Sequence, residues 1–315
     1  MDRKRVLITG GAGFIGSHLV DRLGARNDVT ILDDLSTGSL QKLAGAPRTI
    51  HLKKASILDT DILRKAMEGQ DVVYHLAAKT SVPESVEKPQ EYWRTNVEGT
   101  VHVLRAAAEA GVLRAVFVSS AAVYGMSPEV PKVETMRPAP GSPYGMTKMV
   151  GEFACEEIHE LKGLETVVLR LFNVYGPRQD PTSAYAGVIP KFCAAAVKGR
   201  PIEVYGDGEQ TRDFLYVGDA AEGLELAAER PVAGQTLNLG SGISTTVNEV
   251  VRVLSEITGV QPKVVRKPER AGDIRDSLAD VTRAKAGLGF SARTSVRDGI
   301  RRTLEAIRAP VKRSR

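Results

Sequence analysis

The sequence is poor in cysteine, in long apolar runs and in internal repetition, and each scarcity excludes a class of protein. Of 315 residues only two, Cys155 and Cys193, are cysteines. Two thiols are too few for a disulfide framework and stand in no metal-ligand spacing, so no metal site is expected. Apolar runs stay under ten residues, as at 115–119, where a membrane-spanning helix needs about 20. Residues 1–5 lead straight into the apolar stretch 6–9, with no h-region and cleavage site between. The expectation is a cytoplasmic protein with no membrane partner. No fixed-period repeat or low-complexity segment interrupts the chain.

Positive charge is also scarce outside one place. The formal net charge is +5, yet residues 293–315 hold eight Lys/Arg against two Asp/Glu, leaving 35 basic and 36 acidic residues elsewhere. A nucleic-acid binder needs a basic stripe with a reading motif, and none is present. The basic end reads as a solvated last helix.

What is present is a core-forming composition, 42% apolar and 26% charged, at a length that suggests about two domains. Short β-branched runs at 5–9, 29–32, 49–52, 71–76, 115–119 and 166–171 alternate with longer helical stretches, notably 89–110 and 143–161. Near-continuous apolar strands between helices imply a parallel sheet covered on both faces. After Phe172 the pattern breaks into a loop-rich stretch, 174–212. A helix at 217–229 and the run 236–239 can return to the sheet, and from about 243 the chain reads as helix, short strand and basic helix.

The first strand ends in Thr9-Gly10-Gly11-Ala12-Gly13-Phe14-Ile15-Gly16. Glycines between a strand and a helix let the backbone approach a pyrophosphate, and the helix start turns free N–H groups and its positive dipole end toward it. Asp33 closes the second strand twenty residues beyond Gly13. A carboxylate there accepts both ribose hydroxyls and repels a 2′-phosphate. With no Arg in Asp34-Leu35-Ser36-Thr37-Gly38, the pattern favours NAD over NADP.

A second cluster carries chemistry. Tyr144 and Lys148 lie one helical turn apart behind Ser142-Pro143, so both side chains share a helix face. A free phenol, with a pKa of about 10, is too weakly acidic for a base at neutral pH, and a nearby ammonium favours its phenolate. Ser120 ends the fifth strand, at the carboxyl edge where open α/β sheets bind ligands.

With these motifs the chain resembles the extended short-chain dehydrogenase/reductase family, in its nucleotide-sugar epimerase group typified by UDP-glucose 4-epimerase. The resemblance spans nearly the whole chain: residues 9–16, 33–38, 75–78, 96–100, 119–125, 144–148, 169–173, 175–178, 211–214 and 270–273. It implies a Rossmann-type doubly wound α/β sheet, with a smaller, partly interleaved α/β substrate domain. Residues 1–173 plus about 213–241 would bind NAD, and about 174–212 plus 242–315 the nucleotide sugar.

The resemblance also implies roles. Gly10, Gly13, Phe14, Ile15 and Gly16 match the pyrophosphate turn, and Asp33 to Gly38 the adenosine-ribose loop. Leu76, Ala77, Ala78 and Thr80 match a loop along the cofactor, with Asn96 near it. Ser120, Tyr144 and Lys148 match the catalytic trio, of which Tyr144 and Lys148 also touch NAD and Ser120 and Tyr144 the substrate. Phe172 and Asn173 match the end of the sixth strand, between nicotinamide and substrate phosphate. Val188, Tyr205, Arg212, Arg270 and Asp273 match nucleotide-diphosphate positions, where guanidinium forks suit phosphate oxygens. Ser277, small, matches the position beside the sugar's C2 substituent.

Two departures stand out. Ser56-Ile57 occupies the place of an adenine-facing aspartate. Ala121-Ala122 stands where sugar-nucleotide 4,6-dehydratases carry an Asp-Glu pair, and where related decarboxylases carry Glu at the second position. The implied activity is 4-epimerisation of a UDP-hexose through a transient 4-keto sugar, in a homodimer. A glucuronate epimerase, a GDP- or dTDP-sugar enzyme or a reductase remain alternatives on the same scaffold. A non-catalytic NAD sensor or scaffold is an alternative of another class.

Overall fold

The computed structural model describes residues 1–47, 49–182, 186–269 and 274–309. The first half runs β1 (Arg5–Thr9), α1 (Phe14–Gly24), β2 (Asp28–Asp33), β3 (Ile50–Lys54), α2 (Thr60–Met67), β4 (Val72–His75), α3 (Val82–Glu87), α4 (Pro89–Tyr92), α5 (Gly99–Glu109), β5 (Arg114–Ser120), α6 (Pro143–Lys162) and β6 (Glu165–Leu171). It continues with β7 (Val174–Tyr175), α7 (Val188–Val197), β8 (Ile202–Tyr205), β9 (Thr211–Asp213), β10 (Leu215–Tyr216), α8 (Val217–Glu229), β11 (Gln235–Leu239), β12 (Ser244–Thr246), α9 (Val247–Thr258), β13 (Val264–Lys267), α10 (Thr282–Leu288) and α11 (Val296–Arg308).

Seven strands make one parallel sheet in the order β11-β6-β5-β4-β1-β2-β3. Its inner strands are apolar on both faces because both faces are covered, while the edge strand β3 is mostly exposed. Val6 and Ile8 of β1 pack with α1 and α8 on one side, and Leu7 between them packs toward α2, α5 and α6 on the other. This is the two-residue alternation of a strand acting on two cores at once. Chain order reverses between β1 and β4, so the loops leaving these two strands part and open a crevice at the carboxyl edge. The architecture is a Rossmann-type doubly wound sheet. The run 236–239 does return to it, as β11 beside β6.

A third core lies outside the sheet, where Phe192, Val250, Leu254, Ile300 and Leu304 of α7, α9 and α11 close on Tyr175 and Phe214. The stretch 174–212, read as loop-rich, contains β7, α7, β8 and the start of β9. Its glycines and prolines lie between these elements, and the helix itself is masked in the sequence by Pro190 in its first turn, where proline is tolerated. Helix α10 was also not legible.

The stretch 89–110 is not one helix. A π-helical turn, Trp93–Glu98, separates α4 from α5. The widened turn carries Asn96, whose side chain is committed to a neighbouring loop, as described below. A π turn admits an extra residue and re-aims the side chains on it. By contrast 143–161 is continuous as α6. Ser142 caps it through Gly145 N at 3.1 Å, Pro143 stands in its first turn, and Gly163 ends it at φ 70°. The basic last helix is amphipathic: Ile300 and Leu304 are buried, while Arg297 pairs with Glu256 and Arg301 with Asp298. No helix among the described residues is long and apolar enough to cross a membrane.

Candidate active site

The turn after β1 is shaped by what crosses it. Gly10 has φ 71°, and a Cβ there would lie 2.7 Å from Ala77 N in the loop leaving β4. A Cβ on Gly16 would run into the Gly10 carbonyl. Gly13 is the N-cap of α1; no side chain caps this end and no acid sits in its first turn. The N–H groups of Phe14, Ile15 and Gly16 are therefore presented to the crevice, as a phosphate requires.

Asp33 is buried at the end of β2. One carboxylate oxygen accepts from Ala12 N and the other from Leu35 N, both at 2.9 Å. Burial lifts its pKa above the ordinary carboxyl range, against the pull of the Leu35 and Ala12 N–H groups. The loop 34–38 folds back onto it: Asp34 accepts from Ser36 N at 2.9 Å, Thr37 O accepts from Lys42, and Gly38 approaches so closely that a Cβ would sit 2.7 Å from an Asp33 oxygen. Free helix N–H groups, a Cβ-less turn and a ribose-height carboxylate together fit a dinucleotide. Ser56 and Ile57 do other work nearby. Ser56 Oγ accepts from Leu58 N at 3.2 Å, and buried Ile57 packs on Gly99.

The opposite wall is the loop 76–80. Leu76 N donates to Thr9 O at 3.1 Å and Ala77 N to Thr9 Oγ1 at 3.3 Å. Asn96 holds the strand of chain that runs from Ala78 to Thr80: its Oδ1 accepts from Lys79 N at 2.8 Å and its Nδ2 donates to Lys79 O at 2.9 Å and to Thr147 Oγ1 at 3.1 Å. Sequence reasoning missed His75. Its ring bridges Thr9 Oγ1 at 2.8 Å and Thr100 Oγ1 at 2.9 Å, tying β1, β4 and α5 together. Burial, then the Lys148 charge, push its pKa down to about 3, so it is neutral. Its place directly before Leu76-Ala77-Ala78 was the available signal.

Ser120, Tyr144 and Lys148 meet at the carboxyl edge of β5. Ser120 Oγ accepts from Ala122 N at 3.1 Å, which starts the turn Ala121–Tyr124. Tyr144 and Lys148 face the sheet from the first turns of α6, both buried. Burial raises the phenol's pKa, and the hydrogen bond from Ser120 is what draws it back. The expected activator, Lys148, spends its ammonium differently. Nζ donates to Val118 O at 2.7 Å and lies 5.0 Å from the centre of the Phe117 ring. Burial lowers Lys148 to about 8, opposed by Cys155 and Glu152.

A cavity of about 420 Å³ opens past the end of β6, from Asn173 onward. Asn173, Val188, Tyr205 and Arg212 line it together, as do Val82 and Lys191, which the sequence did not single out. Phe172 is buried behind them, its ring 6.2 Å from that of Tyr124. Ser277 is buried but is not part of the cavity wall. Arg270 and Asp273 lie outside the described residues. Asp213, also missed, is the hub of this half. Its carboxylate accepts from Ser241 N at 2.6 Å, Gly242 N at 2.9 Å and Ala279 N at 3.2 Å, and its carbonyl accepts from Asn173 Nδ2 at 3.1 Å.

Residues 6–240 match the model of the NAD dependent epimerase/dehydratase family. The chain belongs to that family. It is 39% identical over 309 residues to a UDP-glucose 4-epimerase of Mycolicibacterium smegmatis, covering 96% of this chain and 98% of the relative. Among solved structures it is similar to a UDP-N-acetylglucosamine 4-epimerase of Methanobrevibacter ruminantium in complex with UDP-N-acetylmuramic acid. That match has a TM-score of 0.94 and 39% identity, and covers 97% of this chain and 98% of the other. A UDP-glucose 4-epimerase of Thermotoga maritima with UDP-glucose superposes with a TM-score of 0.92 at 38% identity, over 96% and 98% of the two chains. Family membership makes this chain an NAD-dependent enzyme, and the crevice carries the donors and the carboxylate that NAD needs.

Gly10→Ala should strip that cofactor without unfolding the sheet. A side chain at φ 71° that must also displace the 76–80 loop closes the pyrophosphate turn. Purified variant should carry less than a tenth of the wild-type NAD, measured by absorbance after denaturation. Full occupancy would show that the turn is not the phosphate site.

Proposed function

We propose that the protein interconverts C4 epimers of a UDP-hexose, UDP-glucose and UDP-galactose, and accepts their N-acetylated counterparts. The observation that carries this reading is Tyr144, buried and drawn down by Ser120 at the end of β5, with Ala121 and Ala122 where an acid would be needed for water elimination, and a cavity lined by Arg212 and Asn173 past the end of β6. NAD bound in the crevice would supply the reversible redox chemistry. Tyr144, as its phenolate, takes the proton from the substrate's O4, and Ser120, whose hydroxyl draws the phenol's pKa down, relays or steadies that proton. Arg212 neutralises diphosphate charge, with Arg270 and Asp273 assigned to the same clamp by the resemblance. Because the same face of the site gives back what it takes, net oxidation is zero. Under this reading 1–173 plus about 213–241 serve NAD, and about 174–212 plus 242–315 serve the nucleotide sugar.

Proton NMR of the purified protein with UDP-galactose or UDP-N-acetylgalactosamine, without added NAD, should show gluco anomeric signals growing in. Tyr144→Phe should lower that rate by about 10² to 10⁴. A variant that keeps most of its activity removes Tyr144 from the chemistry.

The small Ser277 side chain is buried between two pinned neighbours: Thr211 Oγ1 donates to Asp276 at 2.7 Å, and Lys132 N to Leu278 O at 2.7 Å. The resemblance assigns this small residue the position beside the C2 substituent, and a relative named as a UDP-N-acetylglucosamine 4-epimerase supports room for an N-acetyl group. Ser277→Tyr should depress turnover of the N-acetyl substrate at least tenfold more than that of UDP-galactose, about 1.4 kcal/mol of discrimination. Equal losses would refute the role.

The same reading includes a homodimer. Helices α3 and α6 and the Trp93–Glu98 turn pack together, and each keeps an apolar side chain exposed: Val86, Met146 and Trp93. Apolar side chains gathered in this way mark an interface. Sedimentation equilibrium should give twice the chain mass, and Trp93→Glu should return it to one chain mass. A wild-type monomer at micromolar concentration would sink this part.

A further inference from the structure

Tyr144 and Lys148 are the first two members of a stripe whose third is Glu152, four residues further along the same face of α6. All three are buried. Glu152 is not idle in the core. Arg170 of β6 grips it with two parallel hydrogen bonds, Nε to Oε1 at 2.9 Å and Nη2 to Oε2 at 2.7 Å. Ser119, the residue before Ser120, donates to Oε1 at 2.5 Å. Arg170 is fixed in turn: Nη1 donates to the Tyr124 hydroxyl at 3.0 Å, and that hydroxyl donates to Asn238 Oδ1 of β11 at 2.6 Å. One carboxylate thus joins the catalytic helix to β5, β6 and, through Tyr124, β11.

We propose that Glu152 is a positioning residue of the active site: clamped by Arg170 and Ser119, it holds Lys148 charged and fixed on the Val118 carbonyl. This rests on the assignment of Lys148 to the catalytic trio. A buried ion pair is weak evidence of stabilisation, because desolvation offsets most of its Coulomb energy. A fork-to-fork pair does set orientation, and this one sets the rotation of α6 at the turn that follows Lys148.

Every group around Lys148 supports the electrostatic half of the role. From β5 it meets the Phe117 ring and the Val118 carbonyl, both without net charge. From β4 it meets His75, neutral as shown. On α6 it has Tyr144 and Cys155, whose phenol and thiol burial shifts upward from their ordinary values. The charge of Arg170 on β6 lies beyond Glu152 and is met by it. Glu152 is therefore the anion that opposes the desolvation of the Lys148 ammonium. Removing its charge makes Lys148 give up its proton at lower pH.

The test is Glu152→Gln in the NAD-loaded protein, with lysine labelled at the ε carbon with ¹³C and the Lys148 signal assigned by its loss in Lys148→Arg. The Lys148 titration should move down by half a unit or more. The basic limb of kcat against pH should move with it, a three- to tenfold loss at pH 8 with KM within twofold. Ser119→Ala, which removes a hydrogen bond and no charge, should leave the Lys148 titration where it was. If Glu152→Gln does not fold, the double variant Glu152→Gln/Arg170→Gln removes both buried charges together and carries the same measurement. A lowered melting temperature with unchanged Lys148 titration would overturn the proposal and leave Glu152 a purely structural residue. The NMR readout needs no substrate, so a shifted Lys148 in a protein that epimerises nothing would uphold this inference while defeating the proposed reaction.

Discussion

The site depends on how closely the chain passes itself between β1 and β4. The loop leaving β4 lies across the Gly10 turn at a distance that admits no Cβ, and this contact determines the depth of the crevice. Thr9, His75 and Thr100 lock the crossing with a row of hydrogen bonds. A neutral imidazole suits the place, since it joins two hydroxyls in a dry core without the cost of a buried charge. With the crossing fixed, the start of α1 and the loop 76–80 become two walls of one groove. Asn96 then ties the second wall to α6 through Thr147.

The chain beyond β6 is organised by a different kind of contact. Here a single buried carboxylate, Asp213, satisfies backbone N–H groups from two distant segments, at 241–242 and at 279. Each of those groups would be costly to leave unpaired in the core, so the three segments assemble around the acid rather than around an apolar cluster. The Arg275–Asp207 pair on the surface is well formed, at 2.8 and 2.9 Å, but exposed pairs contribute little to stability. Its effect is local: it steadies the chain beside Thr211, whose N–H donates to Arg275 O at 2.9 Å.

Much of this was legible in the residues. The strands of the sheet were found within one or two positions, because burial on both faces leaves short apolar runs in the inner strands, while the exposed edge strand β3 was found from its position between helical stretches. The glycine turn, Asp33 and the trio could be read because each needs a specific residue type at a fixed local spacing. The elements of 174–212 and α10 could not. They are short: the apolar residues of 174–212 answer to a core built with α9 and α11, some fifty to a hundred residues away, and Ala284 and Leu288 of α10 to the core of the sheet. The break in 89–110 escaped notice for a related reason: Asn96 is an ordinary helical residue until the loop it must hold is in place.

The sequence by itself determined the doubly wound sheet, the dinucleotide turn and the identity of Ser120, Tyr144 and Lys148, since period-two burial, φ-permissive glycines and one-turn spacing are local properties. Only the tertiary structure decided what surrounds those three. It turned Lys148 onto Val118 and made Ser120 the partner of the Tyr144 phenol. It also brought Glu152 and Arg170, eighteen residues apart on different elements, into one pair behind the site. Desolvation and hydrogen-bond geometry set these relations, and both depend on which strands and helices come to lie side by side.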